Sequence, residues 1–267
     1  MSNGPRGFTR ATACSGAGED AGGMSDRAVK VWEWIAAAHE GTGPVSIGAL
    51  CRAAVRALGM DGASVTAAGG RTAREPLFAS DLVSARLEEL QFTLGEGPGT
   101  DEFGPGSPTL IPDLESALTR WPGFAPAALG AGARAIFSFP LQAGAIAVGA
   151  LSLYRATPGS LAAEELADLL VFADAALRLL LDAPFAITGS TGYRPLDGLS
   201  DARAEVHQAT GMISVQLGVS LEEAFVRLRA HAFGTNGALA DVAGAVVDRQ
   251  LRFDPAPAPE PDAGPSK

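Results

Sequence analysis

Between Ser46 and Leu58 the apolar residues Ile47, Leu50, Cys51, Ala54, Val55 and Leu58 recur every three or four positions. That spacing lines one face of an α-helix, with Ser46 placed to cap its start and Gly59 to end it. The pattern then changes period. GASVTAA (62–68) and PLFAS (76–80) read as strands, and DLVSARLEELQF (81–92) returns to a helix. Glycine and proline dominate residues 93–109, which exclude regular structure. Beyond them TLIPDL (109–114) starts as an edge-like strand, PGFAPAALGAG (122–132) holds a small helix ending at a glycine, and 133–141 and 145–156 are apolar strands around a turn at Gly144. A long helix over 161–181 follows. Helix, hairpin, loops, hairpin, helix is the order of an antiparallel sheet covered by helices, an α+β domain.

The expected organisation is a loose N-terminus at 1–24, an N-terminal helix within 25–44, the α+β domain at 45–182, a linker at 183–199, a helical unit at 200–253 and a Pro-rich acidic tail at 254–267. Neither end carries the apolar residues that would offset the entropy of ordering it. Met24, just ahead of the first periodic segment, is a candidate translation start.

In the helical unit Val206, Ala209, Ile213 and Leu217 keep helical spacing up to Gly218. Ser220 and Glu223 make an S-x-x-E capping box, which starts a second helix at Leu221 with Ala224, Phe225 and Leu228 on the same face. FGTN breaks that helix, with Thr235 or Asn236 as the next N-cap. Leu239, Val242, Ala243, Val246 and Val247 supply a third stripe. Three short-looped helices with complementary stripes form a bundle. Ala209, Gly211 and Ala224 read as positions where helices approach closely.

A net charge of −10 excludes the broad positive field of a nonspecific DNA binder, so any nucleic-acid site must be local. Two cysteines, Cys14 and Cys51, give neither a disulfide framework nor a CxxC metal site, and fit a reducing cytoplasm. No cofactor or metal is expected. The longest apolar runs are too short to cross a membrane. No nucleophile, base and orienting group assemble from the motifs, so no enzymatic activity is expected.

The run QATGMI, the turn LGVS, then EEAF-x-x-LR, TN and LADVA resembles the ANTAR domain, an RNA-binding three-helix module of bacterial transcription antiterminators. Upstream, LEELQFTLGEGPG, IPDL, RWPGFAPAA and SFPLQAGAIAVGALSLYRATPG resemble the GAF sensory domains joined to such modules in actinobacteria. The resemblance implies a homodimer in which GAF domains sense a small molecule, helix 161–181 dimerises and transmits, and two ANTAR modules hold paired hairpins in nascent RNA against termination. It places RNA contacts at Gln208, Thr210, Gly211, Arg227, Arg229, Thr235 and Asn236. Family members often carry basic residues where this chain has Thr210 and Gly237, and 200–253 holds five arginines against six acids. A near-neutral unit also fits an alternative, in which it docks a protein partner instead of RNA. Gly99 stands where relatives often have a cysteine after GEGP, and Cys51 alone does not make the clustered cysteines of the sulfoxide-reducing GAF proteins.

Overall fold

The protein's structure is a computed structural model that describes residues 20–40, 42–68, 74–100, 107–182, 199–235 and 237–254. Its elements are α1 (Asp20–Ala37), α2 (Ile47–Leu58), β1 (Gly62–Ala68), β2 (Arg74–Ala79), α3 (Leu82–Leu94), β3 (Thr109–Ile111), α4 (Phe124–Ala131), β4 (Ala135–Ala143), β5 (Ile146–Arg155), α5 (Ala163–Asp182), α6 (Leu199–Leu217), α7 (Leu221–Gly234) and α8 (Leu239–Val247). The strands form one antiparallel sheet in the order β2-β1-β5-β4-β3. The α+β layer and the three-helix bundle that the patterning requires are both present. The linker over 183–198 and most of the expected tail lie outside the described residues.

Local chemistry sets the helix ends. Ser46 Oγ accepts from Ala49 N, and Gly59 leaves α2 at φ +59°, where a side chain would be strained. Asp81 caps α3, accepting from Val83 N and Ser84 N while its other oxygen takes the Ser80 and Ser84 hydroxyls. Tyr154 of β5 donates to the same carboxylate at 3.1 Å, so the cap also ties α3 to the sheet. Burial works against Asp81's charge, but these donors outweigh it and hold the group below its ordinary value. A carboxyl lowered in this way stabilises the fold above its unfolded pKa and loses that contribution as pH falls through the folded one. Asp81→Ala is therefore expected to cost about 1–2 kcal/mol near neutrality, with the gap to wild type closing below about pH 4; urea titrations across pH would show a constant gap if the cap were unimportant.

Strand alternation gives the sheet two different buried faces. On one, Ala63, Val65, Phe137, Phe139, Leu151 and Leu153 meet α1, α2 and α5. Phe172 of α5 is fully buried there and stacks on Trp34 of α1, with ring centroids 6.2 Å apart. Helix α1 is thus part of the α+β core, because Val31 and Ile35 have no exposure at all. The apolar face of α5, which the resemblance makes a dimerising element, is largely spent inside the chain, where Leu169, Phe172, Ala173 and Ala176 join the core.

The opposite face is polar at its centre. Ser64, Ser152 and Ser138 lie in register across β1, β5 and β4, all buried, beneath α3 and α4. Ser64 donates to Glu88 Oε1 of α3 at 2.7 Å.

The bundle buries Val206, Ala209, Ile213, Ala224, Leu228, Leu239, Ala243 and Val246. Leu221 departs from expectation and is 61% exposed, since α7 begins at that residue, a turn before its stripe reaches the core. Ser220 caps α7 through Glu223 N, but the Glu223 carboxylate accepts from Arg227 Nε at 2.8 Å. An i,i+4 ion pair thus takes the acid expected to complete the box.

Candidate nucleic-acid interface and its contact with the sheet domain

The residues expected to meet RNA lie in unequal environments. Gln208 is exposed on α6. Thr210, two residues on, is buried, and its hydroxyl donates to Val206 O at 2.7 Å, a bond back along its own helix. In this arrangement its side chain serves helix α6 and is not offered outward.

Gly211 overturns its expected packing role: a Cβ built there meets no atom within 4 Å. Ala209 and Ala224 are fully buried and do fill close-packing positions. Since a mid-helix glycine weakens a helix by about 0.5–1 kcal/mol relative to alanine, Gly211→Ala is expected to raise stability by about that amount. A lower melting temperature for the variant would show a steric demand that the structure lacks. If RNA affinity falls while stability rises, the bare backbone is needed by the ligand.

Thr235 is the C-cap of α7 and not an N-cap, because α8 starts four residues later at Leu239 behind Ala238. Its hydroxyl donates to His231 O at 2.8 Å and bonds Ala232 O at 3.3 Å. Asn236 lies outside the described residues. Arg227 is on the outer side of α7, held by Glu223.

Arg229 points elsewhere. Its guanidinium stacks over Phe225, 4.6 Å from the ring centroid, and lies so close to Gly95, the C-cap of α3, that a Cβ there would collide with it. Gly95 adopts φ +67°, so glycine serves both the left-handed turn and the arginine's approach. Arg229 makes no ion pair among the described residues, and burial lowers its pKa from the ordinary value.

Arg203 of α6 reaches the same helix. Its Nη2 donates to Glu88 O at 3.4 Å and pairs with Glu89 Oε2 at 3.3 Å, while the guanidinium sits 4.4 Å over Phe92. Phe92 is on α3, yet it is buried with the bundle core, 5.3 Å from the Phe225 ring and 6.2 Å from His207. Spacing along α3 assigns Phe92 to the sheet side equally well. Only tertiary packing reveals that it belongs to the bundle.

The neighbouring face of α3 lines an interior cavity with Leu87, Glu88 and Gln91, opposite Ser64, Ser152, Tyr154 and Phe124. The cavity has room for about one water. The strands over 133–141 and 145–156 are mostly apolar, but Ser152 and Tyr154, with Ser64, Glu88 and Gln91, make the lining partly polar. Over it, the GEGPG loop is fixed at two points. Glu96 Oε2 accepts from Gly123 N and Phe124 N at the start of α4, and Gln91 Oε1 accepts from Gly99 N at 2.6 Å. The alternation of Ser64 and Thr66 with Ala63 and Val65 is the sequence signal that could have disclosed the polar face.

Burial pushes the Cys51 thiol up, which leaves it protonated and unreactive at neutral pH. No helix of the described residues is long and apolar enough to cross a membrane.

Residues 199–247 match the ANTAR domain family, a span that coincides with α6, α7 and α8. Comparison with curated proteins gives no match. Among solved structures, the chain is similar to the GAF domain of a phosphoenolpyruvate-protein phosphotransferase from Coxiella burnetii, at 14% identity and TM-score 0.44, covering 61% of this chain and 95% of that one. It is also similar to a GAF domain from Synechocystis in its photoproduct state, at 19% identity and TM-score 0.40, covering 48% and 87%. A third is the GAF domain of the Acinetobacter phosphoenolpyruvate-protein phosphotransferase, at 11% identity and TM-score 0.41, covering 62% and 96%.

Proposed function

We propose that this chain is a signal-responsive RNA-binding regulator, in which the α+β domain senses a small molecule and the ANTAR bundle holds paired hairpins in nascent RNA to prevent termination. The observation that carries the reading is the coincidence of the ANTAR match with a three-helix bundle whose core is built from its own helices and completed by Phe92. Hairpin loops suit such a module, since their unstacked bases expose edges and faces to side chains. Two modules in a homodimer would convert two weak contacts into one tight one through effective concentration.

The proposed contacts fall on Gln208, Gly211, Arg227 and Arg229, with Thr235 at the far end of α7; Asn236, also proposed, lies outside the described residues. Thr210 supports them by shaping α6. A sensed molecule larger than a water would have to open the interior cavity to reach the polar atoms of Glu88, Gln91, Ser64 and Ser152 that line it.

Retention of a tandem-hairpin RNA by the full chain, and complete loss of retention on removing 199–267, is the expected result. Affinity should also fall with salt, the log–log slope growing by about 0.7 for each phosphate engaged. Equal retention after truncation, or binding indifferent to salt, would defeat this reading. A protein partner held through apolar contacts would show the second behaviour.

A further inference from the structure

The five arginines of the bundle are nearly all engaged. Arg227 is paired with Glu223 and Arg252 with Asp254 at 4.0 Å, while Arg203 and Arg229 face α3. Among the described residues Arg249 alone of the five has neither an ion pair nor a ring contact. Arg229 is half-desolvated against Gly95 and Phe225 with no ion pair among the described residues, an arrangement in which the charge is worse placed than it would be beside a phosphate.

We infer that the outer face of α3, formed by Glu89, Phe92 and Gly95, masks Arg229 of the bundle's proposed RNA surface, so that docking on the α+β domain and RNA contact through Arg229 exclude one another. The inference rests on the RNA reading above. Three features carry it. Phe92 inserts an α+β side chain into the bundle's core, which positions the bundle. Arg203 fixes the orientation through Glu89 and the Glu88 carbonyl. Arg229 is then partly covered by the α3 C-cap, its guanidinium lying against Gly95.

The contact is made by a few side chains, and Arg229 has no ion pair among the described residues, so the docked state is suited to release. The cavity occupies the next face of the same helix: Glu88 and Gln91 line it within the two turns that carry Glu89 and Phe92. A ligand hydrogen-bonded to Glu88 or Gln91 acts on the helix that bears the mask.

The test uses the full chain and two variants outside the bundle, Phe92→Ala and Glu89→Gln. Labelling of Arg229 by phenylglyoxal, read by mass spectrometry, reports uncovering without RNA, and retention of tandem-hairpin RNA reports binding. Both variants should label Arg229 several-fold faster. They should also bind RNA more tightly, by about tenfold if the undocked fraction rises from about a tenth to nearly all. Faster labelling with unchanged RNA affinity overturns the mask and leaves the RNA reading standing. Faster labelling with no RNA retained by any form, wild type included, overturns the RNA reading and the mask together. Unchanged labelling shows that α3 does not cover Arg229 and also overturns the mask. If Phe92→Ala loses its far-UV helical signal, Glu89→Gln decides alone.

Discussion

Phe172→Ala is expected to lower the unfolding free energy of the α+β domain by about 3–5 kcal/mol, the range for removing a fully buried aromatic side chain. Phe172 has no exposed surface and joins three layers: it leaves α5, packs on the sheet and stacks against Trp34 of α1. Its removal leaves a cavity and also loosens α1, which is held by that stack together with Val31, Ile35 and the Arg27 and Lys30 pairs with Asp168 of α5. An isolated domain has about 5–15 kcal/mol to lose, so the variant should melt many degrees lower or be partly unfolded at 37 °C. Guanidinium titration followed by tryptophan fluorescence would measure it. A loss under about 1 kcal/mol would mean that α1 is not fixed by this stack.

Arg229→Ala should act in the opposite sense on fold and function. Tandem-hairpin RNA binding is expected to weaken by about tenfold or more, the scale of one lost arginine contact to nucleic acid. The fold should keep its stability, because the side chain removed is half-buried, makes no ion pair among the described residues and leaves the core residue Leu228 in place. The stack on Phe225 is the only ring contact forfeited among the described residues. Thermal melting beside RNA retention separates the two effects. Lost affinity that tracked lost stability would make Arg229 a packing residue. Intact affinity would remove it from the interface.

The two arginines show how legibility depends on range. Arg227 and Glu223 are four residues apart on a helix, and their pairing follows from sequence once α7 is placed. Arg229 meets a glycine more than a hundred residues away, and nothing in the spacing around it distinguishes a solvent-facing base from a covered one. Gly211 shows the same limit from the other side. A costly glycine called for a close neighbour, and the structure provides none.

Periodicity, caps and turns determined the elements of both units, because hydrogen bonding and apolar burial along a helix or strand are decided within a few residues. Ser46, Gly59, Gly144, Gly218 and Ser220 could all be assigned on that basis. The bundle's core was equally local, as its three stripes lie within 54 residues joined by short loops. Tertiary structure decided what lies between the units: which core takes Phe92, that the serine row of the sheet faces Glu88, and that α5 spends its apolar face within the chain. These depend on contacts between distant residues, where the apolar or polar character of a side chain states that it needs a partner but not which one it will meet.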